Sequence, residues 1–259
     1  MFQAKILAVL LLLLIGFSKA SDGVVDIPFF RPDESTSCTA HPYNAYIISR
    51  EPLVTYISSF VSNEEIDHLL KASEDNYAPA GVYGGGGPGV NVQERLSEVA
   101  YPEGVSAVEC IGRRALAFQG WSPYISIEKL QVQRYKTNGF FKYHYDSFGE
   151  GLNGDRVSTF NIFLHSNCTG GGTHFPNLRM PEDPRWCEFI ECGPDESGEA
   201  RTGITFKPIS GNAVFWENIR PNGERYQETL HAGLQIESGT KIGLNIWSWH
   251  GIGLSEARS

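Results

Sequence analysis

The second half of the chain consists of short apolar segments that restrict the folds it can adopt. From Ile125 onward, these segments are rich in β-branched and aromatic residues and are separated by Gly, Asn and Pro. They read SIEKLQVQRY, VSTFNIFLH, GITFKPI, GNAVFWEN and KIGLNIWSW. Several such strands at short spacing indicate an antiparallel sandwich or barrel. A polar loop containing Pro and Cys interrupts them at residues 177–202.

The first half of the chain predicts helices. Ser62 and Glu65 fit a capping box, and apolar residues follow them at helical spacing. The stretch SAVECIGRRALAFQGW has the same periodicity and predicts a second helix. The glycine-rich residues 81–89 predict a loop, and they lack the Gly-Lys-Ser/Thr of a phosphate-binding loop. These patterns indicate a mainly β, α+β fold, with helices packed on one side of a closed or doubled sheet.

The N-terminus has the pattern of a targeting segment. Lys5 precedes the apolar run ILAVLLLLLIGF, and the small residues Ser18 and Ala20 suit cleavage after Ala20. The run is shorter than the roughly 20 residues that span a bilayer as a helix. We therefore predict a signal peptide at 1–20, entry into the secretory pathway (endoplasmic reticulum lumen or secretion) and no stable membrane insertion. A signal anchor in the endoplasmic reticulum membrane is the alternative.

The remaining chain divides into an extended arm at 21–50, rich in Pro, Ser and Asp, and a single domain at 51–259. The formal net charge of −9 argues against a nucleic-acid partner, which would require a basic surface.

Five cysteines follow the targeting segment, so disulfides are expected. Cys187 and Cys192 lie in one loop and are a candidate pair. Three cysteines then remain, so at least one thiol is unpaired or pairs between chains. The sequence Asn167-Cys168-Thr169 is a glycosylation sequon, which makes Asn167 a candidate glycan site.

The chemistry-bearing residues are His144 and Asp146, followed by His231 and Lys241. On a strand, His144 and Asp146 would point to the same face. Two histidines and one carboxylate form the ligand set of non-haem iron(II) oxygenases, although a His-x-Asp motif alone also fits a buried hydrogen-bonded pair. Lys241 is a credible cation for a ligand carboxylate, because a buried lysine is rarely unpaired.

Four motifs follow one another in the second half of the chain: RYKTNGFFKYHYDSF, GGGTHFPNL, GNAVFWEN and HAGLQIESGTKIGLNIWSW. In this order they resemble the prolyl 4-hydroxylase family of iron(II)/2-oxoglutarate dioxygenases. The likeness runs from about residue 55 to residue 250 and is to the fungal-type, secretory-pathway catalytic domain. It implies a double-stranded β-helix (jelly-roll) core with packed N-terminal helices.

The resemblance also implies roles for individual residues. His144, Asp146 and His231 would hold Fe(II), and Lys241 would pair with the far carboxylate of 2-oxoglutarate. Hydroxyl groups of two further residues, Tyr135 and Thr173, would add hydrogen bonds to 2-oxoglutarate.

The implied activity is hydroxylation of an unactivated carbon, with succinate and CO2 as co-products and ascorbate as a supporting reductant. The favoured target is proline C4 in peptides or proteins. A small metabolite, free amino acid or nonribosomal peptide is an alternative substrate, and a non-catalytic β-barrel binding protein is a further alternative. The candidate substrate-pocket residues are His174, Trp249 and Arg134, although strand alternation could turn Arg134 away from the face of Tyr135.

Overall fold

The computed structural model describes residues 29–33, 35–84, 87–149, 154–194 and 198–251. Within them, the two α-helices are α1 (Asn63–Ser73) and α2 (Ser106–Phe118), and short 3-10 helices occupy Pro184–Glu188 and Gln227–Thr229. In chain order, the strands are β1 (Asn44–Arg50), β2 (Leu53–Ser58), β3 (Ala78–Pro79), β4 (Val82–Gly84), β5 (Gly87–Gly89), β6 (Arg95–Leu96), β7 (Glu98–Ala100), β8 (Ile125–Ile127), β9 (Gln131–Lys136), β10 (Phe140–His144), β11 (Arg156–Ser166), β12 (Thr169–Gly170), β13 (Thr173–Phe175), β14 (Ile204–Phe206), β15 (Ala213–Glu217), β16 (His231–Gly233), β17 (Ile236–Ser238) and β18 (Thr240–His250).

Two antiparallel sheets form the core of the domain. The major sheet has the order β1-β2-β15-β11-β18-β9-β7-β3, with β8 also paired to β18. The minor sheet has the order β14-β13-β16-β10-β6. Many neighbouring strands are distant in sequence, such as β2 and β15 or β10 and β16, as expected for a double-stranded β-helix. The predicted jelly-roll core is therefore confirmed.

The two helices cover the outer face of the major sheet. Their buried residues, such as Leu69 and Ile111, pack in one cluster with Ile162 and Leu244 of the sheet. The predicted capping box is present, because the Ser62 hydroxyl accepts from the backbone of Glu65, and the Glu65 carboxylate accepts from the backbone of Ser62. The same carboxylate pairs with Arg114 of α2 at 2.7 Å, so the first turn of α1 is fixed to the second helix.

Strand alternation separates this apolar face from a polar interior. On β18, Leu244 and Ile246 face the helices. The odd-numbered residues Lys241, Gly243 and Asn245 point the other way and line a cavity between the two sheets. The period of two residues along a strand therefore places polar groups inside the jelly roll without interrupting its outer core.

Two predictions about local structure need correction. The glycine-rich segment is not a simple loop, because β4 and β5 pair antiparallel within it. Ladder hydrogen bonds are made by the backbone, so glycines can form them although they are poor strand formers. Residues 44–50, assigned to the arm, form β1 and pair with β2 at the edge of the major sheet.

The disulfide prediction is confirmed. Cys187 pairs with Cys192, Cys38 pairs with Cys110, and Cys168 is free. The Cys38–Cys110 bond links the segment that precedes β1 to α2. The proposed signal peptide at 1–20 lies outside the described residues, and no helix among the described residues is long and apolar enough to cross a membrane.

Candidate active site

Three candidate metal ligands converge at one end of the minor sheet. His144 is the last residue of β10 and lies directly opposite His231, the first residue of β16. Asp146 follows two residues later, in a bend beyond the strand. Its two oxygens lie 3.7 Å from His144 Nε2 and 3.8 Å from His231 Nε2. One ligand atom from each side chain lies within 4.8 Å of the others, so a single ion could contact all three.

Backbone carbonyls orient both imidazoles. His144 Nδ1 lies 2.7 Å from the Lys142 oxygen, and His231 Nδ1 lies 2.9 Å from the Thr229 oxygen. Because a carbonyl only accepts, each Nδ1 must carry the proton, and each Nε2 keeps its lone pair for a metal. The Phe141 ring stacks on His144 with centroids 3.6 Å apart and further restricts that imidazole.

The protonation states also suit a divalent cation. Burial, reinforced by the neighbouring His231, lowers the pKa of His144 to about 3, so this ring is neutral at physiological pH. Burial alone would raise the pKa of Asp146, but the adjacent His231 and His144, with Arg156 and the Thr159 hydroxyl, hold it below its usual value. Neutral imidazole and carboxylate together are the donor set used by non-haem iron(II) sites, so the residues fit that ion.

Lys241 is buried on β18, paired across the ladder with Tyr135 of β9. It is 5% exposed, and its ammonium donates to the Gly171 carbonyl at 2.5 Å. Its Nζ also lies 5.1 Å from the centre of the Tyr135 ring. In the part of the chain that the structure describes, no carboxylate forms an ion pair with Lys241, and burial lowers its pKa to about 8. A buried cation without an acidic partner is suited to a ligand carboxylate.

The predicted 2-oxoglutarate residues share one cavity with the histidines. Tyr135, Thr173 and Lys241 line the same cavity as His144 and His231. The Tyr135 hydroxyl donates to Gln133 at 3.0 Å, and the Thr173 hydroxyl donates to Asn161 at 3.2 Å. The lining of the cavity therefore combines two imidazoles, one ammonium group and two hydroxyl groups.

The three candidate substrate residues do not line this cavity. Arg134 pairs with Glu98 at 2.8 Å and lies over the Tyr77 ring at 3.7 Å, because strand alternation turns it to the opposite face from Tyr135. Arg134 therefore faces away from the cavity that Tyr135 lines.

His174 and Trp249 are held by other partners. The His174 ring contacts the Tyr143 hydroxyl at 2.6 Å and the Thr202 carbonyl at 2.9 Å. The Trp249 indole donates to Glu128 at 2.6 Å. Both residues therefore lie outside the cavity between the sheets.

Sequence reasoning missed two charged groups close to the site. Arg156 forms a two-point ion pair with Glu128, at 2.6 and 3.0 Å, and stacks over the Trp247 ring at 3.8 Å. Arg95 is 6% exposed and lies 4.7 Å from the Phe141 ring, and its Nη2 has no hydrogen-bond partner among the described residues. In the sequence, Arg95 and Arg156 are marked only as charged residues within strand segments.

The profile of the 2OG-Fe(II) oxygenase superfamily matches residues 130–249, which include all three candidate ligands and Lys241. Within this segment, the chain is similar to the 2OG-Fe(II) oxygenase superfamily. It is a 2-oxoglutarate-dependent dioxygenase, and the cavity fits the two reagents that define this superfamily.

Named relatives of this oxygenase include plant enzymes. Prolyl 4-hydroxylase 5 of Arabidopsis thaliana is 27% identical over 210 residues, which cover 78% of this chain and 69% of the relative. Prolyl 4-hydroxylase 1 of the same plant is 28% identical over 214 residues, which cover 78% and 70%.

Solved structures share the fold. The viral collagen prolyl hydroxylase of Paramecium Bursaria Chlorella virus-1, in its 2OG complex, aligns with a TM-score of 0.53 and 23% identity, covering 75% of this oxygenase and 94% of that chain. A prolyl hydroxylase of Trichoplax adhaerens, in complex with a peptide of hypoxia inducible factor, has a TM-score of 0.53 and 14% identity, covering 76% and 83%.

Proposed function

We propose that this oxygenase hydroxylates C4 of prolyl residues in peptides or proteins. One oxygen atom of O2 would enter the substrate as a hydroxyl group, and the other would enter succinate as 2-oxoglutarate loses CO2. The observation that carries the proposal is the convergence of His144, Asp146 and His231 at a cavity that Lys241 also lines. The prolyl 4-hydroxylases among its relatives support proline as the target.

Each residue of the cavity has a definable task in this reaction. His144, Asp146 and His231 would hold Fe(II), which supplies the activation of O2 needed to attack an unactivated C–H bond. Lys241 would bind the far carboxylate of 2-oxoglutarate, and Tyr135 would donate a hydrogen bond beside it. Thr173 would do the same from the minor sheet. Ascorbate is proposed as the reductant that keeps the iron divalent.

The surroundings of the metal ligands favour an extended peptide over a small metabolite. Tyr143 and Phe148 flank the ligand pair in sequence and are 50% and 39% exposed. Exposed aromatic rings suit proline-rich segments, which adopt the preformed polyproline II helix and bind with little loss of entropy.

The proposed activity can be tested with matched peptides. Purified protein with Fe2+, ascorbate and 2-oxoglutarate should form succinate when a proline-containing peptide is added. Mass spectrometry should find one added oxygen on proline. The same peptide with alanine in place of proline should give only background succinate.

Other outcomes would contradict the proposal in distinguishable ways. Oxygen added only to free amino acids or small proline analogues would replace the peptide substrate by a small molecule. No succinate above background with any substrate would favour a non-catalytic binding protein.

We also propose that the chain enters the secretory pathway and carries a glycan at Asn167. Two disulfides are compatible with an oxidising compartment. Asn167 is exposed just beyond β11, and its side-chain oxygen, not its nitrogen, accepts from the Thr240 backbone.

Expression in a secretory host tests the glycan. An endoglycosidase should increase the electrophoretic mobility of the wild type, and Asn167→Gln should remove this shift. Asn222→Gln, at an exposed asparagine without a sequon, should retain it. A wild-type protein whose mobility does not change would refute the glycan.

A further inference from the structure

The Asp146 carboxylate is held from behind by a buried threonine. The Thr159 hydroxyl donates to Asp146 Oδ2 at 2.8 Å, and Thr159 is completely buried on β11. The other oxygen, Oδ1, receives no hydrogen bond from the residues that the structure describes. One carboxylate oxygen is thus occupied by a hydroxyl, while the other is left for a metal.

The hydrogen bonds continue behind Thr159 to a donor-only group. Asn218 donates its Nδ2 to the Thr159 hydroxyl at 2.9 Å, and Trp216 donates its Nε1 to the Asn218 side-chain oxygen at 2.8 Å. Asn218 and Trp216 are each 1% exposed. Water therefore cannot readily replace any member of the chain.

The tryptophan fixes the direction of every bond in this chain. An indole N–H only donates, so the Asn218 oxygen must face it and the Asn218 amino group must face Thr159. The Thr159 hydroxyl accepts that bond, and its single proton is then directed to Asp146. This hydrogen bond restricts rotation of the Asp146 carboxylate, with Oδ2 held by the hydroxyl and Oδ1 left for a metal.

Trp216 also contacts a second ligand. Its ring packs edge-on against His231, with centroids 4.9 Å apart. The same residue therefore limits rotation of one imidazole and, through Asn218 and Thr159, fixes one carboxylate.

We propose that Trp216, Asn218 and Thr159 are positioning residues that hold Asp146 in its metal-binding orientation. This inference rests on the ligand set of the proposed function. None of the three is a candidate metal ligand, and they act through Asp146 and His231. Thr159 and Asn218 do not line the cavity, whereas Trp216 forms part of its wall. Partners that orient metal ligands in this way typically change metal affinity by 10–100-fold when they are removed.

The test measures metal affinity directly and does not depend on turnover. Mn2+ is titrated into the wild type and into Thr159→Val, and the free ion is followed by its electron paramagnetic resonance signal. Thr159→Val keeps the shape of the side chain but removes the hydroxyl, and we expect about 10–100-fold weaker Mn2+ binding. Thr159→Ser restores the hydroxyl and should recover most of the affinity.

A matched control separates positioning from general destabilisation. Thr55 is a buried threonine on β2 that belongs neither to the hydrogen-bonded chain nor to the ligand set. Thr55→Val should leave Mn2+ affinity unchanged.

A second variant tests the next member of the hydrogen-bonded chain. Asn218→Ala keeps the Thr159 hydroxyl but removes the donor that directs it, and it should weaken Mn2+ binding by several-fold. This variant also decides the matter if Thr159→Val fails to fold.

The possible failures are distinguishable. Equal Mn2+ affinity in the wild type, Thr159→Val and Asn218→Ala would overturn the positioning role while leaving the metal site intact. A wild type that binds no Mn2+ would instead contradict the ligand set itself. Loss of affinity in Thr159→Ser as large as in Thr159→Val would indicate a packing effect and would also overturn the inference.

Discussion

Replacing His144 or His231 by alanine should abolish 2-oxoglutarate turnover while leaving the jelly roll folded. Each imidazole supplies one of three converging ligand atoms, and both rings are oriented by backbone carbonyls that do not depend on a metal. Removal of a partner outside the ligand shell costs 10–100-fold, so removal of a ligand should cost more than about 100-fold in succinate formation.

The fold should survive because the major core is formed by the helix-covered face of the sheet, which neither histidine contacts. His144→Ala is the cleaner variant, since the His144 side chain is 20% exposed whereas His231 packs between Phe175 and Trp216. Circular dichroism should show the wild-type spectrum.

His165→Ala is a suitable control, because His165 lies on β11 of the same domain and outside the cavity. It should retain wild-type turnover. If His144→Ala and His231→Ala both kept substantial turnover, the assignment of the ligands would be wrong. Collapse of the circular dichroism spectrum in both would indicate that the histidines stabilise the fold.

The candidate ligands were predicted from the sequence, but they come together in a different way from the one expected. His144 and Asp146 were expected on one strand face, two residues apart. In the structure the strand ends at His144, and a bend brings the Asp146 carboxylate back towards His231. The motif was therefore informative, but alternation along a strand is not what joins the two side chains. The pairing of His144 with His231 depends on sheet register, which local sequence does not specify.

Groups that act through long-range contacts were beyond sequence reasoning. The Thr159–Asn218–Trp216 chain joins side chains from β11, β15 and the residue after β15. The Glu128–Arg156 ion pair joins residues 28 positions apart. When threonine, asparagine or glutamate occurs in a strand, its position in the sequence does not reveal whether it joins a buried hydrogen-bonded network or faces solvent. The capping box of α1 was predictable because it is local, with its two partners three residues apart.

Replacing Lys241 by methionine should chiefly raise the concentration of 2-oxoglutarate needed for turnover. Lys241 is the buried cation of the cavity, and Met keeps most of its length without the charge. Removing one partner of a buried charge pair costs about 2–5 kcal/mol, which corresponds to a rise in KM of about 30-fold or more. Turnover at saturating 2-oxoglutarate should change far less, because Lys241 is not one of the three candidate metal ligands.

The pH dependence of 2-oxoglutarate binding provides an independent test of the same residue. Burial lowers the pKa of Lys241 to about 8, so the ammonium is present below that pH and lost above it. Binding of a carboxylate requires the charged form, so affinity for 2-oxoglutarate should be constant below pH 8 and fall by up to tenfold per pH unit above it. Calorimetric titration of 2-oxoglutarate at several pH values would show this decline in the wild type and its absence in Lys241→Met.

Lys136→Met, at an exposed lysine paired with Glu98, should behave like the wild type both in KM for 2-oxoglutarate and in the pH dependence of binding. A Lys241→Met variant with an unchanged KM for 2-oxoglutarate, or with the same decline above pH 8, would show that another group binds the far carboxylate.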